Sequence, residues 1–261
     1  MQFSFAKYQG AGNDFILIDD EKMRFPLEDA SYISRLCHRR FGIGADGVVL
    51  LQSSEKADFR MRIFNADGKE AAQCGNGLRC LVDFIHQKGH RAQHFLIETQ
   101  KRIIPCSWDS GLITIDFGPA EWLLEDFSLD DFSLHLINTG VPHLVAFVDQ
   151  LNMSDFKSMG AKLRHHAAFS PEGANVNFAQ LQGDKIYVRT YERGVEDETL
   201  ACGTGAAAVA IAALKKYSLK NPVCIVPASK EELLVEATEE TIRLKGPATC
   251  VFYGYVPYSF P

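Results

Sequence analysis

No two cysteines of this 261-residue chain form a Cys-x-x-Cys pair, no run of Lys and Arg occurs, and no uncharged stretch reaches the roughly 20 apolar residues of a bilayer span. Each absence excludes something. The seven cysteines (37, 74, 80, 106, 202, 224 and 250) are odd in number and scattered. That argues against a disulfide framework and a zinc site, and it points to a reducing compartment, so a cytoplasmic protein is expected. With 27 basic and 33 acidic residues the net charge is −6, which argues against nucleic acid or an anionic membrane as partner. The opening Met1-Gln2-Phe3-Ser4-Phe5-Ala6-Lys7 has no basic segment leading into an apolar one, so no secretory signal is expected. The uncharged stretch Leu200 to Leu214 is too short and too rich in Ala and Gly to span a membrane.

What is present is a repeat. Ala72-Gln73-Cys74-Gly75-Asn76-Gly77 returns as Leu200-Ala201-Cys202-Gly203-Thr204-Gly205, 128 residues on. Gly12 matches Gly140, Gly44-Ala45-Asp46 matches Gly173-Ala174-Asn175, and Arg62-Ile63-Phe64-Asn65 matches Arg189-Thr190-Tyr191-Glu192, at separations of 127 to 129. The near-constant separation predicts two structurally equivalent halves, each with one Cys-Gly-polar-Gly turn. A chain of this length, 46% apolar and 23% charged, has the composition for two such cores.

Short apolar runs bounded by Gly, Pro and Asp predict strands at residues 15–18, 48–51, 60–64, 112–117, 144–148, 175–181, 186–191, 223–226 and 249–255. Three stretches predict helices: 30–39, 77–87 and 205–216. The last is apolar on every side and must be buried all round. The expected fold is α+β, with two pseudo-symmetric halves, each a bent, mostly antiparallel sheet around a central helix. The expected domains are 1–118, carrying Cys74 and completed by 250–261 if the final strand pairs back, and 119–249, carrying Cys202. Between them, Pro119 to Ile137 contains Glu121, Glu125, Asp126, Asp130 and Asp131 without a single Lys or Arg, and reads as a solvated acidic linker.

Cys74 and Cys202 each fall at or near the N-cap of a buried helix, where exposed N–H groups and the helix dipole favour a carboxylate and a thiolate. A lone buried cysteine is usually a small hydrophobe, and Cys80, with no cysteine counterpart, is read that way. Two thiols in equivalent positions suit proton transfer at opposite faces of one carbon. Asn13, Asn65, Asn175, Glu192 and Arg193 offer donors, acceptors and a guanidinium fork, and His143 offers proton transfer or tuning of a thiol. Gly42-Ile43-Gly44-Ala45-Asp46-Gly47 matches G-x-G-x-x-G, but a helix precedes it and a strand follows, the reverse of a dinucleotide site.

The segments Gly12-Asn13-Asp14-Phe15, Phe64-Asn65-Ala66-Asp67-Gly68, Cys74-Gly75-Asn76-Gly77, Glu192-Arg193-Gly194 and Ala201-Cys202-Gly203-Thr204-Gly205 together resemble the diaminopimelate epimerases over the whole chain. The resemblance implies a homodimer that interconverts LL- and meso-2,6-diaminopimelate, a step toward lysine and peptidoglycan precursors, without pyridoxal phosphate or metal. It implies Cys74 and Cys202 as the acid–base pair and Gly75, Asn76, Gly203 and Thr204 on the reacting carboxylate. Asn13, Asn65, Asn175, Glu192 and Arg193 would bind the rest of the substrate, with His143 and Glu192 adjusting the thiols. Three places depart from the family pattern: Val141 stands where an Asn is common, Gly47 where some relatives have Gln, and the 192–202 loop is one residue longer than in some. A racemase of another amino acid, such as glutamate or proline, is the nearest alternative. A thiol redox sensor is the alternative of a different class.

Overall fold

The computed structural model describes residues 2–130 and 132–258; Asp131 of the acidic stretch and the last three residues of segment 250–261 lie outside the described residues. The chain divides into two compact units, Met1–Ile115 with Gly246–Pro261, and Asp116–Lys245.

The first unit runs β1 (Gln2–Gly10), β2 (Asn13–Asp19), α1 (Ala30–Cys37), β3 (Gly47–Gln52), β4 (Phe59–Asn65), β5 (Glu70–Ala71), α2 (Gly75–Gln87), β6 (His94–Glu98), β7 (Ile103–Asp109) and β8 (Leu112–Asp116). The second runs β9 (Glu121–Leu129), β10 (Phe132–Asn138), β11 (Pro142–Phe147), α3 (Phe156–Arg164), β12 (Asn175–Gln182), β13 (Lys185–Glu192), β14 (Asp197–Thr199), α4 (Gly203–Lys216), β15 (Val223–Val226), β16 (Leu233–Ala237) and β17 (Ile242–Pro247). The chain then returns to the first unit as β18 (Thr249–Pro257), which pairs antiparallel with β1, Gln2 opposite Pro257. In the second unit β9 fills that place beside β10.

The pairing pattern is duplicated. β2–β3 and β11–β12 are parallel, β3–β4 and β12–β13 antiparallel, and β4–β6 and β13–β15 parallel. The register refines the repeat: Phe15 faces Gly47 as His143 faces Asn175, so Asn175 occupies the position of Gly47. A Cβ on Gly47 would lie 2.5 Å from the Phe64 carbonyl oxygen, so a longer side chain there requires the backbone to move.

Strands β2, β3, β11 and β12 are covered on both faces, which explains why they read as largely unbroken apolar runs. On one face of the first unit, α1 packs Ile33 and Leu36 against Ile16, Ile18, Val48 and Leu50. On one face of the second, α3 packs Phe156 and Leu163 against Leu144, Val176 and Phe178. The central helices α2 and α4 contact strands along their own sheets. In α4 the buried residues are almost all Gly and Ala. Helix α2 instead buries Asp83, held by the Tyr8 hydroxyl (3.1 Å) and Trp108 Nε1 (2.9 Å).

The structure corrects the expected acidic linker. Residues 121–129 and 132–138 pair as strands β9 and β10, because Leu134, Leu136 and Ile137 enter the core while Glu121, Glu125, Asp126 and Asp130 are exposed on or beside an edge strand. Glu125 pairs with Lys215, Asp130 with Lys162 at 3.0 Å, and Asp126 accepts from Ser133 at 2.6 Å. Helix α3 was not expected either: its nine residues include Gly160 and Ser158, which weaken the helical pattern. Helix α1 ends at Cys37, two residues short of expectation, and the His38 Nδ1 accepts from the N–H groups of Arg40 and Phe41.

Candidate active site

In the first unit the β4–β5 hairpin delivers the chain to Cys74, and a bidentate ion pair braces it: Arg62 Nε and Nη2 each donate to Glu70 at 2.7 Å. Cys74 is the N-cap of α2, in extended conformation (φ −149°, ψ 119°), with no capping bond from its side chain. Gly75 and Asn76 form the first turn of α2, whose N–H groups point beyond the helix end. The Cys74 thiol lies 3.8 Å from Asn13 Oδ1, to which Asn76 Nδ2 also donates (3.4 Å). Asn13 Nδ2 donates to Asp46 (2.5 Å), and Arg39 bridges Asp46 and Asp14 (2.7 Å each). Burial alone would raise the Asp14 carboxyl, but bonds from Arg39 and Lys7 hold it well below the usual carboxylate range. Asn65 stands at the end of β4 with its side chain exposed.

The second unit repeats the brace, with Arg189 Nε and Nη2 donating to Glu198 at 2.7 and 2.6 Å. Cys202 caps α4 in the same extended conformation (φ −120°, ψ 113°), followed by Gly203 and Thr204 in its first turn. Thr204 Oγ1 is 3.4 Å from the Cys202 sulfur and 2.9 Å from His143 Nε2. His143 is therefore one hydroxyl removed from the thiol. It is fully buried, and burial with the Arg193 charge added pushes its imidazole down to about 3, so it is neutral at physiological pH. Glu192 accepts from the Thr199 hydroxyl (2.7 Å); burial pushes its carboxyl up, opposed by that bond. Asn175 ties the segment together, accepting from the Arg193 N–H (2.8 Å) and donating to the Pro142 carbonyl (3.3 Å). The Arg193 guanidinium leans on Glu172 and the Gly173 carbonyl at 3.3 and 3.4 Å.

The structure thus gathers Asn13, Gly75 and Asn76 at Cys74, and Gly203, Thr204 and, behind it, His143 at Cys202. Asn175, Glu192 and Arg193 lie together at the start of β12 and the end of β13. Sequence reasoning missed Asn177 and Thr190. Asn177 is fully buried; its Nδ2 donates to the Leu144 carbonyl (2.9 Å) and contacts His143 Nδ1 (3.2 Å), and its Oδ1 accepts from Thr190 (2.9 Å). Its signal was available: an amide between Val176 and Phe178, on the opposite strand face from the core they join, is a buried polar group that needs partners. Gly205 makes room for it, since a Cβ there would come within 2.5 Å of Asn177 Oδ1. Among the described residues, no three His, Cys, Asp or Glu side chains are grouped to hold a metal ion.

The sequence matches the family described as diaminopimelate epimerase over residues 5–123 and 135–251. Diaminopimelate epimerases of Archaeoglobus fulgidus and Methanothrix thermoacetophila are 40% and 41% identical, over 97% and 98% of this chain and 96% of each relative. Among solved structures, a phenazine biosynthesis protein of the PhzF family from Bacillus anthracis matches with a TM-score of 0.79 at 14% identity, covering 98% of this chain and 99% of that one. A hydroxyproline epimerase from Agrobacterium vitis, solved with trans-4-hydroxy-L-proline bound, matches with a TM-score of 0.72 at 14% identity, covering 98% and 92%. At such identities the structural likeness establishes the fold, a duplicated α+β architecture.

Proposed function

We propose that this chain, which belongs to the diaminopimelate epimerase family, interconverts LL- and meso-2,6-diaminopimelate, with Cys74 and Cys202 as its proton-transfer groups. The observation that carries the reading is the placement of the two thiols at the N-caps of equivalent buried helices, α2 and α4. An amino acid's Cα–H is a very weak acid. N–H donors and helix dipoles directed at the α-carboxylate stabilise the carbanion as it forms, where the same groups do little for the neutral carbon. Inversion needs a base on one face of the carbon and an acid on the other, and a duplicated thiol supplies both with the same chemistry. On this reading Gly75, Asn76, Gly203 and Thr204 hold the reacting carboxylate, and Asn13, Asn65, Asn175, Glu192 and Arg193 bind the remainder of the substrate.

The test is proton exchange. In deuterated water, NMR should show loss of the Cα–H signal of diaminopimelate together with appearance of the other stereoisomer. Glutamate and proline serve as controls. Exchange at glutamate or proline without exchange at diaminopimelate would replace the substrate assignment, and no exchange at any of them would reject the reaction.

The seven scattered cysteines suit a reducing cytoplasm, where we place the enzyme. We also infer a homodimer built on β18. Val251, Tyr253 and Tyr255 share one face of this strand and are 57%, 65% and 74% exposed. Such an apolar strip fits a self-complementary two-fold contact. Tyr255→Glu should lower the sedimentation coefficient to that of a monomer; an unchanged value would place the contact elsewhere.

A further inference from the structure

We infer that the resting enzyme carries its thiolate at Cys202 and its thiol at Cys74, and that Asn177 sets this by fixing the direction of a buried hydrogen-bond chain through His143 and Thr204. The inference rests on the two-thiol reading and adds to it an order and a positioning residue.

As far as His143, the direction follows from groups that have no choice. The Leu144 carbonyl can only accept, so the Asn177 group facing it is the NH2, and the Thr190 hydroxyl donates to Asn177 Oδ1. The second N–H of that NH2 reaches His143 Nδ1, which must accept. A neutral imidazole that accepts at Nδ1 carries its proton at Nε2. Nε2–H therefore donates to Thr204 Oγ1, and we assign the Thr204 hydroxyl proton to the Cys202 sulfur, 3.4 Å away. A sulfur that receives a hydrogen bond is stabilised as thiolate.

The first unit is built the other way. The Asp46 carboxylate takes the Asn13 NH2, so Asn13 turns its carbonyl oxygen toward the Cys74 sulfur. That oxygen can only accept, and it favours the S–H form. The duplication sharpens the contrast. By strand register, His143, Asn177 and Thr190 correspond to Phe15, Val49 and Ile63. The half with Cys202 holds a buried polar chain where the half with Cys74 holds hydrocarbon, although buried polar groups are costlier to place.

Turnover from this state balances. The Cys202 sulfur lone pair takes the Cα proton, and the C–H electron pair stays on the carbon and its carboxylate. The Cys74 S–H bond then gives its proton to the other face, leaving a thiolate at Cys74 and a thiol at Cys202. Reverse turnover, or proton exchange with water, restores the resting state.

Two readouts on the full-length protein without substrate test this. Long-range 1H–15N NMR reports the His143 tautomer, expected as Nε2–H. Asn177→Asp presents a carboxylate to Nδ1 and should convert it to Nδ1–H. Alkylation by iodoacetamide at neutral pH, resolved by peptide mass spectrometry, should modify Cys202 roughly tenfold faster than Cys74, the effect of about one hydrogen bond to a charged group. Both sulfurs belong to half-buried residues, and the Thr204 variants separate the charge on Cys202 from its access. Thr204→Val should slow alkylation at Cys202 by about tenfold and leave Cys74 unchanged, with Thr204→Ser keeping the preference for Cys202. Should Asn177→Asp fail to fold, the Thr204 pair carries the test. An Nδ1–H tautomer in the wild type, or Cys74 alkylated as fast as Cys202, overturns the inference. Failure of the two-thiol reading would show separately, as absence of deuterium exchange in the wild-type enzyme.

Discussion

Cys74→Ala and Cys202→Ala should each lower epimerisation by at least about 10³-fold while leaving the protein folded. Each thiol is the only proton carrier the reading provides on its side of the carbon, so losing either stops inversion and not merely slows it. Stability should survive because both are partly exposed N-cap residues that make no capping bond from the side chain. Cys80→Ala is the matched control: Cys80 is fully buried in α2, so its truncation should cost stability, with activity per folded molecule nearly unchanged. Stereoisomer ratios by NMR, read beside thermal melts, separate the two effects. More than a few per cent of wild-type turnover in either active-site variant would reject the two-thiol mechanism.

Ala208→Leu should destabilise the second unit by about 3 kcal/mol, near the upper end of overpacking costs. Ala206, Ala207, Ala208, Ala210, Ala212 and Ala213 are at most 1% exposed, so no direction round α4 offers space for three more carbons. A melting temperature lower by roughly 6–12 °C is expected for a protein of this size. A shift under about 2 °C would mean that the sheet around α4 yields more readily than a close-packed interior does. The equivalent position in α2 is Cys80, one sulfur larger than Ala208, consistent with a slightly wider channel around that helix.

The repeat and the two thiols were legible because glycine turns and cysteines are sparse and specific, and because one displacement relates them all. Strands such as Val223–Val226 were legible as well, since burial on both faces makes them continuously apolar. The β9–β10 hairpin was not, because a strand with one wet face spends its outward positions on charge, and Glu125 and Asp126 break up the spacing of the half-buried Trp122, Phe127 and Leu129. Strands β6, β7, β16 and β17 are short and one-sided for the same reason. Among the site residues, the cap positions followed from the motifs. The role of Asn177 did not, because its partner His143 and the Thr204 that His143 bonds in turn lie 34 and 27 residues from it, and only the fold unites the three.

The return of β18 to β1 reverses the order in which the two halves can be finished on the ribosome. The half that carries β1 emerges first, yet β1 lacks its outer neighbour until β18 has been made. The other half has β9 in hand before β10, its counterpart of β1, appears, and needs nothing later than β17. The nascent chain therefore carries an open, hydrogen-bonding edge at β1 throughout synthesis of the second half. Loss of β18 would injure the half that carries β1 and spare the half that β18 directly follows in sequence, so a break in translation just ahead of Thr249 is felt in the half that was made first.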